Sequence, residues 1–193
     1  MRDHKKEQQI RRMSDWYMEG YTKQTVFDAK TGKNRLELVY QGLYYTYEVE
    51  NIPGFKLLCA TLSFFYLVLS IVPWFLPSYI AGFTWAGAVG FIMAIPLLFL
   101  VIGCLFFLLQ KIPLTVRQTY AGYWRIVRSF NYGFWLQLAV LLCGIIWMIL
   151  NRGAFPTLVN ELVYLGVLLA ALVYNRVSVR IIRKGTPVDV PEE

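Results

Sequence analysis

Four long apolar runs alternate with short polar connections along most of the chain. The clearest run, 83–109, contains no charged residue, and as a helix rising about 1.5 Å per residue it exceeds the roughly 30 Å of bilayer hydrocarbon. Similar runs cover about 57–76, 134–150 and 158–177. A soluble domain of this size has no need for helices that are apolar on every side. The pattern therefore predicts a membrane all-α fold, in which residues 55–177 form a bundle of four transmembrane helices.

A different pattern, in which polar and apolar residues alternate over short distances, precedes the first span. Asp3–Glu19 carries a narrow apolar stripe at helical spacing, which predicts a short surface helix. Three runs that alternate every second residue follow, namely Thr22–Asp28, Asn34–Tyr40 and Leu43–Val49. These runs predict a three-stranded antiparallel meander. Residues 1–54 should form a small cytoplasmic domain that leans on the membrane, on the helices or on a partner, because about 50 residues bury too little core alone.

The positions of Lys and Arg predict how the spans are oriented. The connection at 111–132 carries four basic residues and no acid, and 176–184 carries four more. The connections at 77–82 and 151–156 hold a single basic residue between them, Arg152. Because Lys and Arg concentrate on the cytoplasmic side of membranes, both termini of this multi-pass protein should be cytoplasmic, in the cell membrane.

The basic connection between the second and third spans is the first candidate site. Over 113–131, helical spacing places apolar and aromatic side chains on one stripe: Val116, Tyr120, Tyr123, Val127 and Phe130. Arg117, Arg125 and Arg128 lie largely off this stripe. The pattern is typical of a basic helix lying in the membrane interface, with aromatic rings at the acyl boundary and cations at anionic lipid headgroups. The alternative is a basic linker that only enforces the topology.

The C-terminal tail, 178–193, continues the fourth span with a second basic stripe. Helical spacing places four residues on one side: Arg176, Arg180, Arg183 and Lys184. Each could contribute about 1 kcal/mol near an anionic surface. Alternatively the stripe docks on Glu37, Glu48 and Glu50, or it is an ordinary positive flank. Gly185 and Pro187 should end the helix, and Asp189–Glu193 is expected to be loose.

Glu161 is the only acidic residue between Asn51 and Pro187. Ionisable residues inside membranes are candidates for function. One hypothesis is that Glu161 pairs with Arg152 on the preceding turn, near a helix N-terminus that favours negative charge. The other is a proton- or cation-handling site that also uses Gln137 of the third span.

Several classes of function lack the residues that they need. The sequence has one histidine, His4, and its three cysteines, Cys59, Cys104 and Cys143, lie inside apolar runs. No nucleophile with a base, no paired carboxylates and no phosphate-binding glycine loop is present. We therefore expect no catalytic, cofactor or metal site. The net charge of +7 lies beside the lipid bilayer, so anionic lipid is a nearer partner than nucleic acid, which we do not expect to bind.

The leading hypothesis is an integral membrane accessory or interaction protein without catalytic activity. Its cytoplasmic face would bind a protein partner, which could be a second copy in a homo-oligomer, or anionic lipid headgroups. The alternative is a small oligomeric transporter or channel that uses Glu161 and Gln137. An intramembrane enzyme acting on lipid ranks last, because no acid–base pair is visible.

Overall fold

The computed structural model describes residues 21–28, 33–82, 84–150 and 158–190. The helix expected over Asp3–Glu19 and the candidate residue Arg152 lie outside these ranges. Within them the chain forms four long helices and two short ones: α1 (Ile52–Ile71), α2 (Tyr79–Gly82), α3 (Thr84–Leu109), α4 (Val116–Thr119), α5 (Arg125–Leu150) and α6 (Leu158–Arg183).

Four helical segments are long and apolar enough to cross a membrane, and they confirm the four predicted spans: Ile52–Phe75, Ala88–Leu109, Val116–Leu150 and Leu158–Arg183. The first begins where Asn51 accepts a hydrogen bond from the backbone N–H of Gly54 at 2.9 Å, with Pro53 in the first turn. A 3₁₀ turn at Val72–Phe75 ends it. These segments indicate a multi-pass membrane protein.

The third span is longer than the sequence predicts. We expected an interfacial helix over 113–131 followed by a separate span over 134–150. Instead α4, a π-helical turn at Tyr120–Trp124 and α5 follow one another without a break. Thr115 starts this helix with a capping box, in which its hydroxyl accepts from the N–H of Gln118 and the Gln118 amide oxygen accepts from the N–H of Thr115. No proline follows Pro113 before Leu150, so nothing in the sequence stops the helix.

Three of the five residues of the predicted stripe pack inside the protein, which corrects our expectation that they face the acyl boundary, whereas Val116 and Tyr120 remain partly exposed. Tyr123, Val127 and Phe130 are buried against α1, α3 and α6. A helical stripe of apolar side chains looks the same whether lipid or protein covers it, so periodicity alone could not distinguish the two. Gly133 permits this packing, because a Cβ there would overlap the hydroxyl of Tyr66.

Each long helix packs on two of the other three. α3 lies between α1 and α5, and α6 lies between α5 and α1. Their outward faces expose large apolar side chains, such as Phe91 at 76%, Leu109 at 79% and Leu150 at 74%. A contiguous apolar surface of this kind needs lipid or another apolar partner to cover it.

The predicted meander is correct for its first two strands only. β1 (Tyr21–Asp28) and β2 (Lys33–Tyr40) pair antiparallel, with Tyr21 opposite Tyr40. β3 (Tyr45–Tyr47) does not extend this sheet but pairs antiparallel with β4 (Pro187–Asp189). Asp189 and Val190, which were expected to be loose, therefore make regular backbone pairings, while residues 191–193 lie outside the described ranges. Alternation identifies a strand but carries no information about which strand is its neighbour.

β3 joins the N-terminal segment to the chain that precedes α4 and to the chain that follows α6. On one side the backbone N–H and carbonyl of Tyr45 bond to Leu114, at 2.8 and 2.9 Å. On the other, Val190 donates to the carbonyl of Tyr44 at 2.8 Å. Tyr47 packs among aromatic rings, with 5.2 Å between its ring centroid and that of Phe107. Burial raises the pKa of Tyr47 well above its ordinary value.

We call the end of the helices beside β3 the basic end. Here α1 begins, α3 ends, α4 begins and α6 ends. The Lys56 ammonium donates to the carbonyl of Gln110, and the Tyr123 hydroxyl donates to the carbonyl of Ile182 at 3.3 Å. Gly185 lies so close to the ring of Phe55 that a Cβ would overlap it. Four sequence segments therefore meet in one packed layer at the basic end.

Candidate functional site

A groove of about 970 Å³ runs between α3 and the helix formed by α4, the π-helical turn and α5. We call it the basic groove. Its lining residues are Ile92, Ile95, Pro96, Phe99, Phe106, Val116, Arg117, Tyr120, Ala121, Arg125, Arg128, Ser129, Tyr132, Trp135 and Leu136. All three arginines that the sequence predicts as lipid contacts on this segment are among them. None of these residues, which lie within the described part of the chain, is acidic.

The walls of the groove contain two departures from regular helix. Pro96 has no N–H to donate to the carbonyl one turn earlier, that of Ile92, and its ring occupies the helix surface. On the opposite wall the π-helical turn inserts an extra residue per turn at Tyr120–Trp124. Such turns are frequent at functional sites, because they displace side chains from regular helical packing.

Arginine side chains cluster where the groove reaches the basic end. The guanidinium of Arg125 lies 5.7 Å from the ring centroid of Phe106, and that of Arg128 lies 5.4 Å from the ring centroid of Tyr120. Cation–π contacts at such distances hold a guanidinium over the ring face. Arg117 lines the same part of the groove one helical turn before Tyr120. Two of the three cations are thus held above aromatic rings at one end of the groove.

The other end of the groove is apolar. Ile92 and Phe106 are fourteen residues apart on α3, so the wall extends about 21 Å along the helix. At the far end Ile95 is 56% exposed and Trp135 is 63% exposed. The site therefore has a charged end and an apolar end, and it opens on the outer surface of the helices.

The basic residues of the tail form a separate group. Arg176, Arg180, Arg183 and Lys184 are exposed on α6 and none of them lines the basic groove. Arg176 lies against α5, with its guanidinium 3.5 Å from the ring centroid of Phe134. The structure therefore brings together Arg117, Arg125 and Arg128 but not the seven predicted cations as one site.

Glu161 is only 2% exposed, and its carboxylate is bound by the segment that begins α2. The hydroxyl of Ser78 donates to it at 2.6 Å, the backbone N–H of Tyr79 at 2.6 Å and that of Ile80 at 3.2 Å. A carboxylate that accepts hydrogen bonds from backbone N–H groups stabilises the start of a helix. Here the carboxylate belongs to α6 and the helix that it stabilises is α2. Its neighbours are thus the connection between the first two spans. A cavity of about 450 Å³, which Asn160 also lines, opens beside it.

Gln137 is buried between α1 and α5. Its amide nitrogen donates to the Ser70 hydroxyl at 2.8 Å, and its amide oxygen accepts from the Tyr66 hydroxyl at 3.3 Å. It lines a cavity of about 110 Å³ that does not include Glu161. The two cavities share Trp74 and Ala81 as lining residues.

Two polar positions that the structure buries could not be recognised from the sequence. Asn175 is fully buried on α6 and donates to the carbonyl of Phe130 at 2.8 Å. Ser129 is buried at the edge of the basic groove. Single polar residues inside apolar helices follow no period, so only the packing of the helices identifies them.

Comparison of the chain with models of known protein families, with curated proteins and with solved structures found no match.

Function must therefore be argued from the site itself. Among the residues that the structure describes, no group of three or more His, Cys, Asp or Glu side chains could hold a metal ion. The basic groove remains the largest concave surface among those described above, and its chemistry is that of an amphiphile site: cations at one end and hydrocarbon along the rest.

Proposed function

We propose that this chain is a non-catalytic integral protein of the cell membrane that binds anionic lipid through a basic cytoplasmic face. The observation that carries the proposal is the convergence of Arg117, Arg125 and Arg128 in one groove at the basic end. Arginine binds phosphate with planar, charge-assisted hydrogen bonds, and the cytoplasmic leaflet is the anionic one.

The proposed topology supports this function. The basic end carries the predicted cytoplasmic flanks, 111–132 and 176–184, whereas the opposite end carries the weakly charged connection 77–82. In a four-helix bundle with both termini cytoplasmic, the basic groove faces the inner leaflet.

A protein partner is the second element of the proposal. In the described part of the chain β1 and β2 form a two-stranded sheet, which leaves both outer edges without a paired strand. Such a hairpin is marginally stable alone, and its edges can pair with another chain. A second copy of this chain is one candidate, because Gly166 and Ala170 lie exposed at four-residue spacing on α6, where another helix could approach closely.

The lipid proposal is tested by reconstituting the full chain in phosphatidylcholine bilayers that contain spin-labelled phosphatidylglycerol or spin-labelled phosphatidylcholine. The immobilised fraction should be larger for phosphatidylglycerol, and high salt should reduce the difference. Because each cation near the surface contributes about 1 kcal/mol, Arg125→Gln should lower the relative association constant about fivefold.

The matched control is Arg152→Gln, which removes the same charge from the connection predicted to lie outside. It should leave the selectivity unchanged. Equal immobilisation of the two lipids by the wild-type chain would refute lipid binding by the basic face.

A small oligomeric transporter is the second candidate, and the open cavity beside Glu161 favours it. The three donors to the Glu161 carboxylate favour a structural role instead. Ion flux in liposomes that is lost in Glu161→Gln and kept in Arg152→Ala would support transport. Absence of flux through the wild-type chain would exclude it.

A further inference from the structure

We infer that the basic groove holds one anionic phospholipid as an ordered, stoichiometric ligand. Its phosphate would lie among Arg117, Arg125 and Arg128, and an acyl chain would follow α3 toward Trp135. The inference rests on the proposed function, which requires only that anionic lipid is preferred around the protein. The inference adds that the lipid occupies one defined site, that one lipid binds to each chain, and that binding requires an acyl chain as well as a phosphate.

The length of the groove matches one leaflet. Its α3 wall extends about 21 Å from Phe106 to Ile92, and half of a bilayer that is about 40–45 Å thick with its headgroup regions is about 20–22 Å. A groove whose charged end lies at headgroup level therefore reaches the middle of the bilayer. A phospholipid of the same leaflet, headgroup and acyl chain together, has this length and this polarity.

The groove opens where lipid is already the neighbour. Ile95, Phe99 and Trp135 are about half exposed or more on the outer surface of the helices. A volume of about 970 Å³ lies in the upper range for sites that hold a whole ligand, and it is too large to stay empty beside fluid hydrocarbon. Lipid therefore fills the groove, and the arginines determine which lipid stays.

The charges select a phosphate-bearing lipid over a neutral one. Three guanidinium groups line the charged end of the groove. The only acidic residue between Asn51 and Pro187, Glu161, does not line the groove and is hydrogen-bonded to Ser78 in the connection between the first two spans. Arg125 and Arg128 lie above aromatic rings, which orients their donors before a ligand arrives. Arginine matches the geometry of phosphate oxygens better than lysine does.

The test is native mass spectrometry of the full chain released from membranes that contain equal amounts of phosphatidylglycerol and phosphatidylcholine. The expected spectrum shows one retained phosphatidylglycerol for each chain. Ala121→Phe fills the groove without changing charge and should weaken retention about tenfold, by the cost of overfilling a packed site. Ala139→Phe, the same substitution at an exposed α5 position that does not line the groove, should retain the lipid.

Two competitors examine the chemistry of the ligand. Glycerophosphate, which has the phosphate but no chains, should not displace the lipid, and oleate, which has a chain but no phosphate, should displace it weakly. Displacement by glycerophosphate, or complete displacement by oleate, at concentrations at which phosphatidylglycerol saturates the site would overturn the assignment. Circular dichroism of each variant on heating separates loss of lipid from loss of fold.

Failure of this inference differs from failure of lipid binding as such. If spin-labelled phosphatidylglycerol is preferred but no one-to-one complex survives, or if Ala121→Phe and Ala139→Phe behave alike, the ordered site is refuted and the general preference stands. If no preference exists at all, both are refuted. Retention of a second, copurifying polypeptide in the groove, displaced by Ala121→Phe, would also overturn the lipid as its occupant.

Discussion

Individual side chains in the spans act mainly as connectors between helices that are distant in sequence. Glu161 is the clearest case, since its three donors come from Ser78, Tyr79 and Ile80, more than eighty positions earlier. The sequence identifies Glu161 as the one acidic residue of the spans. It predicts Arg152 as the partner of Glu161, because helical spacing relates only residues that are close in sequence. The partners across the helices follow from tertiary packing, which a single sequence does not contain.

We predict that Glu161→Gln lowers the free energy of unfolding, because an amide has one acceptor oxygen and cannot replace the charged hydrogen bonds. Hydrogen bonds to charged groups contribute about 1.5 to 3 kcal/mol, so a loss of about 2 kcal/mol is expected in detergent. Thermal unfolding followed by circular dichroism measures it.

Ser78→Ala provides the matched comparison for the same interaction. Because Ser78 and Glu161 share a hydrogen bond of 2.6 Å, the two substitutions should be non-additive in a double-mutant cycle. Additive effects would contradict the structural role of Glu161. The lipid selectivity of both variants should equal that of the wild type.

Helices and strands differ in how far the sequence determines them. The four spans follow from composition, because about twenty consecutive apolar residues have few other stable environments. The join between α4 and α5 was missed, since a π-helical turn at Tyr120–Trp124 carries no sequence signature. The basic residues of the groove were identified, but its apolar wall at Ile92–Phe99 was not, because every face of α3 is apolar and periodicity marks none of them.

The pairing of β3 with β4 gives a prediction at the scale of elements. Deleting residues 187–193 removes the strand that bonds to Tyr44–Tyr47, while the interaction of Tyr45 with Leu114 remains. The backbone amide of Thr46, which pairs with Val188, should then exchange hydrogen at least about tenfold faster, because exposed ladder groups open readily, whereas Tyr45 and Glu48 keep their acceptors on Leu114 and Thr186. The amides of α1, α3, α5 and α6 should be unaffected.

Hydrogen exchange measured by mass spectrometry tests this deletion. The same experiment on the intact chain should find β3 protected and β1 with β2 less protected, since an isolated hairpin is marginal in water. Equal exchange of 44–48 with and without the C-terminal residues would contradict the β3–β4 sheet.

Burial, and next the nearby charge of Asp189, raise the pKa of Tyr45, so the deletion should also lower that pKa toward its ordinary value.

At the scale of the whole molecule, the helices form an apolar unit with one charged end. The count of Lys and Arg only predicts the orientation in the membrane, whereas the division of those residues into a groove and a separate α6 face is seen only from how the helices pack. The sequence places Arg117 and Arg176 in comparable basic flanks. In the structure the two arginines are separated. Arg117 lies on α4 and lines the groove beside α3, whereas Arg176 lies on α6 against Phe134 of α5.

The most direct measurement is the accessibility of single cysteines in intact cells to a maleimide that cannot cross the membrane. Gly82→Cys is suited to it, since Gly82 is exposed and a Cβ there meets no atom within 4 Å. Lys111→Cys places the same probe at the basic end. Of the native cysteines, Cys59 and Cys104 are buried or half-buried, and Cys143, which is exposed on the α5 span, is replaced by Ala in both variants.

If the basic groove faces the cytosol, Gly82→Cys is labelled in intact cells and Lys111→Cys is labelled only after the membrane is opened. Labelling of Lys111→Cys in intact cells, with Gly82→Cys protected until lysis, would place the arginines outside. The anionic leaflet could then not supply their ligand.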